Sequence, residues 1–595
     1  MQPTNHFLGA FSFRSNTLNV IFSIFLSHLI LTSLGSLPQA HGYSITGGSA
    51  HFNKNGTLPD STLSNSTLSN GTPSNISLPD STPPASILPI NSTAKLTPAA
   101  DAVSIDITKK QFYQTRFNFG TNFGSCFVRE SWIYPSLFPE GTNTELQAVA
   151  KASETNRTQA KSVLENHWMS YAQDADWDWL KRNKVNAVRV PIGYWNVDGG
   201  KFTAGTRFEP YADIYSNSWS ILKSHFIEPA AKRDICILLD FHGVPGGGNA
   251  DAHNGEEAGK ADFWTTPTYQ EIMIRVLSFV AKDLKDYDNI CGIEVVNEAT
   301  FSEVPTAQQN YYRAALKAIR DQDKSVPVVI SDSFVPNQWV EWIQDNQDPN
   351  KLPGLVVDSH LYRTFSESDR NKTAEQITSD LNGDFLTNLR NGGKGVEFMT
   401  AEWSSVLSRE TWTLSGVNPD NDFDPKRLNL VAKFSSEEER LIEERARGGS
   451  FFWTYKFEAG SGGEWDFRQQ IGHSFRPPSI SIPSDLVLDK LRVKALSNIV
   501  DISRPKAAQL TYKQGFNTAW NDGVFYASKG ALIGRKQSVK QARKNQYVKV
   551  KGISIFLEDW AKGYDEGLEE FERLLTRGEW WCSSKLFGVR TFEDF

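Results

Sequence analysis

The sequence predicts an α/β protein whose main body is a (β/α)8 barrel, the TIM-barrel fold. Eight short segments are apolar almost throughout, which is typical of parallel strands buried on both faces. Stretches with helical periodicity, such as residues 269–284 and 307–319, separate them. Eight such units within about 350 residues fit the length of a barrel domain. The strands are predicted at residues 117–123, 187–191, 235–241, 290–296, 326–331, 355–359, 397–401 and 450–455.

Residues 1–43 precede this body and have the pattern of a secretory signal. A mostly apolar run at residues 20–34 is followed by small residues, with a plausible cleavage point after Ala40. The run has 15 residues, fewer than the roughly 20 that a membrane-spanning helix needs. We therefore expect a secreted protein. The alternative is an uncleaved signal-anchor at the cell surface, and no other membrane tether is expected.

Residues 44–105 form a low-complexity linker. Ser and Thr occupy 19 of the 57 positions from 44 to 100, and short motifs repeat there. Such a stretch cannot bury enough apolar surface to offset the entropy that is lost on ordering. It also carries five N-glycosylation sequons, so we expect a disordered, glycosylated stalk. The sequons are at Asn55, Asn65, Asn70, Asn75 and Asn91.

Residues 106–480 form the predicted catalytic domain, and two glutamates stand where its strands end. Catalytic groups of a (β/α)8 barrel lie at the carboxyl ends of the strands. Glu298 follows the fourth predicted strand, and Glu402 follows the seventh. A carboxylate at the mouth of a buried strand is costly unless it is paired or functional. A single Glu is equally well explained as a salt-bridged loop residue, whereas two suit a retaining glycosidase, which needs an acid and a nucleophile.

The second and third strand ends add a cation and a histidine. Arg189 lies inside the second predicted strand, either in a structural salt bridge or beside Glu402, which it would hold ionised. His242 ends the third strand and leads into a Gly-rich loop at residues 244–248. Such loops also bind phosphate, but no Lys-Ser/Thr follows here, so a nucleotide site is rejected.

The sixth and eighth strand ends add three more side chains. His360 and Tyr362 follow the sixth strand, and strand alternation places them on one face. A lone His is more often a satisfied core residue, but the neighbouring Tyr favours the pocket. Trp453, in the eighth strand, is expected to form the floor of a sugar site, because indole rings pack well against sugar faces.

Residues 481–595 follow the barrel as a predicted helical extension. Residues 512–520 and 560–568 place aromatic and small side chains at helical spacing. We expect these helices to pack on the wall of the barrel. A carbohydrate-binding module is the alternative, but such modules are usually rich in strands.

The composition and motifs restrict the kinds of partner and cofactor that we expect. The net charge is −7, and there is no basic run outside residues 536–551, which argues against nucleic acid. Of the four cysteines, Cys236 and Cys291 lie in apolar strands and are interpreted as buried small side chains rather than disulfide partners. No Cys-x-x-Cys, His-x-His or His-Glu-x-x-His motif occurs, so no metal or other cofactor is expected.

Taken together, the strand-end motifs resemble those of the glycoside hydrolase family 5 group of fungal exo-β-1,3-glucanases, also called glucan 1,3-β-glucosidases. The resemblance runs from residue 117 to residue 468 and is present at every strand end. Each motif is weak alone, but the set in this order is highly specific. The motifs are Asn-Ala-Val-Arg-Val-Pro-Ile-Gly-Tyr-Trp (186–195), Asp-Phe-His-Gly (240–243), Ile-Glu-Val-Val-Asn-Glu (293–298), His-Leu-Tyr (360–362), Ala-Glu-Trp-Ser (401–404) and Phe-Phe-Trp-Thr-Tyr-Lys (451–456).

This resemblance implies a role for each matched residue. Glu298 corresponds to the acid/base and Glu402 to the nucleophile. Asn297 corresponds to the residue that binds the sugar 2-hydroxyl, and Glu130 to a Glu that contacts the sugar at the non-reducing end. The residues that correspond to the lining of the first sugar subsite are Arg189, His242, His360, Tyr362 and Trp453.

The sequence departs from the family pattern at three points. Gly124-Ser125-Cys126 stands where the family usually has Gly-Gly-Trp, Ala299 replaces a Pro, and Ala401 replaces a Gly. None of these changes removes a catalytic group. The first lies near the non-reducing end of the site, so it bears on exo action and on linkage preference.

The function implied is retaining, exo-acting hydrolysis of β-1,3-glucan in cell-wall metabolism, by a monomer without cofactors. The two carboxyl groups of a retaining enzyme are expected about 5–5.5 Å apart. Transglycosylation and hydrolysis of another β-glucoside, such as a β-1,4-glucan or a glycolipid, are alternatives within the same chemistry. A non-catalytic wall protein that only binds glucan is the alternative of another class.

Overall fold

A computed structural model describes residues 107–345, 354–393, 395–460 and 462–576 of the chain. The predicted signal at residues 1–43 and the predicted linker at 44–105 lie outside the described residues and stay predictions. None of the described helices is long and apolar enough to cross a membrane.

The described residues confirm the predicted (β/α)8 barrel. Nine strands form one sheet in which every pairing is parallel. The strands are β1 (Phe119–Asn122), β2 (Ala187–Gly193), β3 (Cys236–Gly243), β4 (Ile290–Glu294), β5 (Val328–Ser331), β6 (Leu355–Asp358), β7 (Leu361–Arg363), β8 (Glu397–Leu407) and β9 (Ser450–Phe452). Their order is β6-β5-β4-β3-β2-β1-β9-β8-β7, and β6 also pairs with β8, which closes a ring of eight.

The two faces of a barrel strand have different surroundings, as β3 illustrates. Ile237 and Leu239 pack in the large core cluster, while Leu238 belongs to a second cluster with other residues near the starts of the strands. Asp240 and His242 continue the face of Leu238 toward the carboxyl end, because side chains alternate along a strand. The barrel interior is therefore apolar where the strands begin and polar where they end.

The chain around β7 and β8 differs from the prediction in a way that shapes the site. The sixth predicted strand ends at Asp358, and the short strand β7, which was not predicted, begins at Leu361 and pairs with β8. β8 continues to Leu407 instead of ending at residue 401, and its register with β9 shifts between Thr400 and Trp403. His360 therefore lies between two strands, and Glu402 lies within a strand rather than after it.

Helices surround the barrel and separate its strands. The helices expected at residues 269–284 and 307–319 are confirmed as α6 and α7 below. The α-helices are α1 (Lys109–Thr115), α2 (Glu145–Tyr171), α3 (Asp174–Arg182), α4 (Ser218–Ile221), α5 (Glu228–Lys232), α6 (Pro267–Leu284), α7 (Thr306–Gln322), α8 (Pro336–Asp345), α9 (Glu367–Arg370), α10 (Ala374–Asp384), α11 (Arg409–Leu414), α12 (Pro425–Arg445), α13 (Phe467–Gln470), α14 (Asp485–Ile499), α15 (Lys506–Ser528), α16 (Lys536–Lys551) and α17 (Leu557–Thr576).

The extension that follows the barrel is helical, as predicted, but the expectation that it packs on the barrel wall is wrong. Residues of α15 to α17, such as Ala519 and Trp560, share a core cluster with Ala187 and Met399 near the starts of β2 and β8. Arg535 also forms an ion pair of 2.9 Å with Glu397, the first residue of β8. The extension thus covers the amino-terminal end of the barrel, where apolar interior residues need a cover.

The motifs at residues 512–520 and 560–568 need glycine at one position each, because two helices of the extension approach closely there. A Cβ added at Gly515 would lie 2.0 Å from the carbonyl oxygen of Trp560, and one at Gly563 would lie 2.1 Å from that of Tyr512. Only glycine allows α15 and α17 to approach this closely. Their aromatic neighbours fill the space on either side, and Trp560 is fully buried.

The interpretation of Cys236 and Cys291 as unpaired is wrong. They form a disulfide between the starts of β3 and β4, with a Cα–Cα distance of 5.7 Å. The two cysteines are 55 residues apart in the chain, and only the pairing of β3 with β4 brings them together. The sequence alone did not show that β3 and β4 pair in the register that brings the two cysteines together.

Candidate active site

The two strand-end glutamates meet at the carboxyl end of the barrel. One carboxylate oxygen of Glu298 and one of Glu402 lie within 4.8 Å of each other, and a ring nitrogen of His360 lies within the same distance of both. His360 Nδ1 is 2.8 Å from Glu298 Oε1 and 3.5 Å from Glu402 Oε2. Glu298 has a φ of +41°, a left-handed conformation that is uncommon outside glycine and that clusters at functional sites.

Two side chains donate hydrogen bonds to Glu402. Arg189 Nη1 donates to Oε1, and the Tyr362 hydroxyl donates to Oε2, each over 2.8 Å. Both oxygens are therefore hydrogen-bonded, and a fixed positive charge lies beside one of them. Hydrogen bonds and opposite charge both favour the ionised form of a carboxyl group.

Arg189 is fully buried and connects its own strand, β2, to four others, β1, β3, β4 and β8. Its guanidinium makes a bidentate contact with Glu294, at 2.8 and 3.1 Å, and lies 3.1 Å from Asp240 Oδ2. It also donates to the side-chain oxygens of Asn122 and Asn297, at 2.9 and 2.7 Å. A planar guanidinium with five donors can make these contacts at once, whereas a lysine cannot.

His360 carries a proton because of the carboxylates around it. Asp358 Oδ2 lies 2.8 Å from His360 Nε2, on the side opposite to Glu298. Burial alone would lower the pKa of His360, but the negative charges of Asp358 and Glu402 outweigh it and raise this pKa well above the ordinary value. The imidazolium therefore sits between the two glutamates as a donor.

A second histidine contacts Glu298 from the loop after β3. His253 Nε2 lies 3.2 Å from Glu298 Oε2, so each carboxylate oxygen of Glu298 has its own histidine. Burial opposes the charge on His253, but Glu298 raises its pKa to about 9. Burial likewise opposes ionisation of Glu298, yet the hydrogen bonds from His253 and His360 hold its pKa well below the ordinary value. The proton of this pair therefore resides on the histidine in the unliganded site.

Trp453 and Glu130 both lie near His242. The Trp453 ring stacks on the His242 ring, with centroids 5.7 Å apart and planes at 10°, and His242 Nε2 lies 3.5 Å from Asn297 Nδ2. Trp132 Nε1 donates to Glu130 Oε2 over 2.9 Å, while Glu130 Oε1 is buried without a hydrogen-bond partner in the described part of the chain. Burial raises the pKa of Glu130, and the charges of His242 and His253 offset this rise only in part.

An aromatic group surrounds the entrance. Trp465 packs edge-on against Trp132, with centroids 5.4 Å apart, and lies 5.6 Å from the Tyr362 ring. Phe365 packs against both Tyr362 and Trp465, at 5.6 and 6.2 Å. Trp132 is 41% exposed and Phe365 is 61% exposed. These rings offer apolar faces to whatever binds next to the two glutamates.

Comparison with known proteins identifies the family. The family model for cellulase, glycosyl hydrolase family 5, matches residues 150–414. An uncharacterized glycosyl hydrolase of Saccharomyces cerevisiae is 31% identical over 500 residues, which cover 80% of this chain and 94% of that protein. The chain belongs to glycosyl hydrolase family 5.

Two further relatives extend the comparison. A protein named glucan 1,3-beta-glucosidase 3, from Schizosaccharomyces pombe, is 32% identical over 453 residues, which cover 73% of this chain and 92% of that protein. A probable glucan 1,3-beta-glucosidase A from Aspergillus niger is 25% identical over 422 residues, which cover 64% of this chain and 94% of that protein.

The structure of this family 5 hydrolase brings together the residues that the sequence analysis selected. Direct contacts join Glu298, His360, Glu402, Tyr362 and Arg189, and continue through Asn297 and His242 to Trp453. Glu130 lies near the same residues, since the charges of His242 and His253 act on its carboxyl group.

The sequence analysis missed four residues of the site. Asp240, Glu294 and Asp358 were passed over as members of apolar strands, although Asp240 and Asp358 each lie two positions before a selected histidine and therefore on the same face. The spacing of two residues to a selected histidine was therefore the signal that could have identified both aspartates. His253 lies in a loop of irregular structure, and no sequence pattern singles it out.

Proposed function

We propose that this family 5 hydrolase is a retaining, exo-acting glucan 1,3-β-glucosidase, with Glu402 as nucleophile and Glu298 as acid/base. The observation that carries the proposal is the separation of the two carboxylates, within 4.8 Å between their oxygens. Carboxyl groups about 5–5.5 Å apart suit retention, whereas inversion needs about 6.5–9.5 Å to admit a water. The names of the relatives from Schizosaccharomyces pombe and Aspergillus niger support the choice of glucan.

In the first step Glu402 attacks the anomeric carbon and the glycosidic bond breaks. The nucleophile needs its charge, which Arg189 and Tyr362 stabilise. The departing oxygen takes a proton from Glu298. Because that proton rests on His253 in the free site, 3.2 Å from Glu298 Oε2, entry of the sugar shifts it to Glu298 by removing water and favouring the neutral form.

In the second step Glu298, now a carboxylate, takes a proton from water as the water attacks the anomeric carbon. The bond to Glu402 breaks, and the product keeps the β configuration after two inversions. His360 donates to Glu298 throughout and lies 3.5 Å from Glu402. We propose that it compensates the negative charge that moves between the two carboxylates.

We propose that Trp453 supports the face of the first sugar and that Asn297 binds its 2-hydroxyl. Glu130, which has one buried oxygen without a hydrogen-bond partner in the described residues, would accept from hydroxyls at the non-reducing end. Trp132 donates to the other oxygen, and we propose that its ring closes that end of the cleft. A blocked non-reducing end supports exo action.

Product analysis on laminarin tests this proposal. We expect glucose as the sole early product, with the β anomer formed first and detected by proton NMR. A ladder of oligosaccharides would contradict exo action, and the α anomer would contradict retention. Glu402→Gln serves as the inactive control, because it keeps the shape of the side chain and removes the nucleophile.

A β-glucoside with an apolar aglycone is a second candidate substrate, and the exposed aromatic entrance favours it. Phe365 is 61% exposed and lies against Tyr362, directly next to the nucleophile. The comparison of kcat/KM for octyl β-glucoside and laminaribiose separates the two candidates. Phe365→Ala would lower the value for the octyl glucoside more than that for the disaccharide if the ring contacts the aglycone.

For the remainder of the chain we propose a secretory segment at residues 1–43, with a cell-surface signal-anchor as the alternative. Residues 44–105 would form a glycosylated stalk, residues 106–480 the catalytic domain and residues 481–595 its extension, in a monomer associated with the cell wall. Asn156 and Asn371, two further sequons, are exposed and fit this location. A protein lacking residues 1–99 is expected to keep its melting temperature and its activity on small glucosides; a loss of stability would contradict the stalk.

A further inference from the structure

A cavity of about 720 Å³ lies at the end of the barrel opposite to Glu298 and Glu402. It is bordered by α1, by the residues just before β1, β2 and β3, and by the end of α15. Its volume falls within the range of roughly 300–1,000 Å³ that small-molecule sites occupy. No step of the proposed glucosidase reaction uses it.

The charged side chains around this cavity are mostly cationic. Five basic residues line it, Lys109, Arg116, Lys181, Lys184 and Lys529, against one carboxylate, Asp234. Asp234 contacts Lys181 at 3.0 Å and Lys109 at 3.7 Å. Among the described residues, no carboxylate lies within ion-pair distance of Lys184 or Lys529, and both are exposed. The protein itself therefore leaves a positive charge here uncompensated.

Arg116 is the strongest sign of an anion site. It is only 4% exposed, and within the described part of the chain no carboxylate forms an ion pair with it. Its Nη2 donates to the backbone carbonyls of Asn186 and Asp234, and its guanidinium lies over the rings of Phe112 and Tyr113, at 5.2 and 4.7 Å. These contacts fix the group without neutralising it. A buried charge without a partner is costly unless something else supplies the opposite charge.

Most of the remaining lining is apolar. Phe117 and Phe119 are buried in the cavity wall, and Phe525, Ile480 and Leu532 complete it. Lys529 Nζ lies 5.2 Å from the centroid of the Phe525 ring, which brings a cation to the edge of the apolar surface. A ligand that fits this cavity needs a compact oxyanion for the cationic side chains and an apolar body for the apolar wall. Phosphate suits the cationic part, because guanidinium and ammonium groups bind it well.

We propose that this cavity is a binding site for an organic phosphate, separate from the active site, in which Arg116, Lys184 and Lys529 hold the phosphate and the phenylalanines hold its apolar part. The proposal does not depend on the glucosidase function. The cavity lies at the end of the barrel that the extension covers, and α1 and α15 contribute residues to it.

The test uses 1-naphthyl phosphate as the probe for the full chain, by calorimetry and by thermal shift. We expect saturable binding and a raised Tm, and binding about tenfold weaker for inorganic phosphate and for 1-naphthol, since each lacks one half of the recognition. Lys184→Glu with Lys529→Glu is expected to weaken binding at least about tenfold. The matched control, Lys549→Glu with Lys551→Glu, changes exposed lysines of α16 by the same charge and should leave binding within a factor of two.

Three results would overturn the proposal. One is equal affinity of the Lys184/Lys529 variant and the wild type. Another is equal loss in the Lys549/Lys551 control, which would mean a general charge effect. The third is competition between 1-naphthyl phosphate and an active-site ligand such as glucose, which would place the probe at the glutamates. Both lysines are exposed, so these variants are expected to fold, whereas Arg116→Met would risk the packing of α1.

Discussion

His253→Gln offers the sharpest test of how Glu298 obtains its proton. His253 lies 3.2 Å from Glu298 Oε2, and the contact raises the pKa of His253 from the ordinary 6.5 to about 9. The net shift corresponds to roughly 3 kcal/mol in favour of the protonated histidine, after the opposing effect of burial and with further contributions from Glu130 and Asp251. If the pair shares one proton, the enzyme keeps a usable proton until the pH exceeds about 9, because the proton only has to move from the histidine to the carboxylate.

The sign of the expected effect follows from which group loses the proton. In the wild type, kcat/KM should fall on the basic side as the pH rises through about 9, when the pair loses its shared proton. Gln keeps a donor near Glu298 but cannot carry a proton. The basic limb should then follow Glu298 alone, whose pKa the remaining donor His360 still holds below the ordinary value. We therefore expect the limb to move to lower pH, because Glu298 alone loses its proton more readily than the pair does.

The assay is the pH dependence of kcat/KM for an aryl β-glucoside with a poor leaving group, for which protonation matters most. His473→Gln is the matched control, since His473 is exposed and the same substitution there should leave the profile unchanged. The ratio of wild-type to variant activity should therefore increase as the pH rises. A basic limb that stays in place would refute the shared proton, and an equal loss at every pH would mean that His253 only supports the loop.

Three further predictions test the other residues. For Glu298→Ala, azide should speed turnover of an activated aryl glucoside and give the β-glucosyl azide, whereas Glu402→Ala should give the α-azide; proton NMR of the products decides, and the opposite pair would reverse the two roles. Tyr362→Phe removes one hydrogen bond to a charged group and should lower kcat/KM at least about tenfold, with unchanged Tm; unchanged kinetics would contradict the contact. Trp453→Ala should damage turnover far more than folding, although Trp453 is only 4% exposed; Trp453→Phe keeps an aromatic ring, and a large fall in Tm with normal kinetics per folded molecule would assign Trp453 to the core.

The barrel and the strand-end residues were predictable because both depend on local patterns. Apolar runs of strand length mark the β-strands, and the polar residue that ends each run marks the site end of the barrel. The prediction failed where the outcome depends on contacts between distant segments. Cys236 and Cys291 form a disulfide only because β3 pairs with β4 in one register. The extension covers the barrel end because Arg535 and Trp560 meet the starts of the strands.

The charge state of Glu294 could not be predicted from the sequence, and its contact with Arg189 shows why. The one guanidinium of Arg189 contacts the carboxylates of Glu402, Glu294 and Asp240. Burial, against the pull of Arg189, raises the pKa of Glu294 well above the ordinary value, so a proton can remain on Glu294. Glu294 and Glu402 are both glutamates in apolar strands, and apart from the family resemblance no pattern in the sequence distinguishes them. What distinguishes them is that Glu402 also accepts from Tyr362 and lies 3.5 Å from the His360 imidazolium, whereas the acidic neighbours of Glu294 favour its neutral form. The assignment of the nucleophile therefore depends on which carboxylate the folded barrel surrounds with donors.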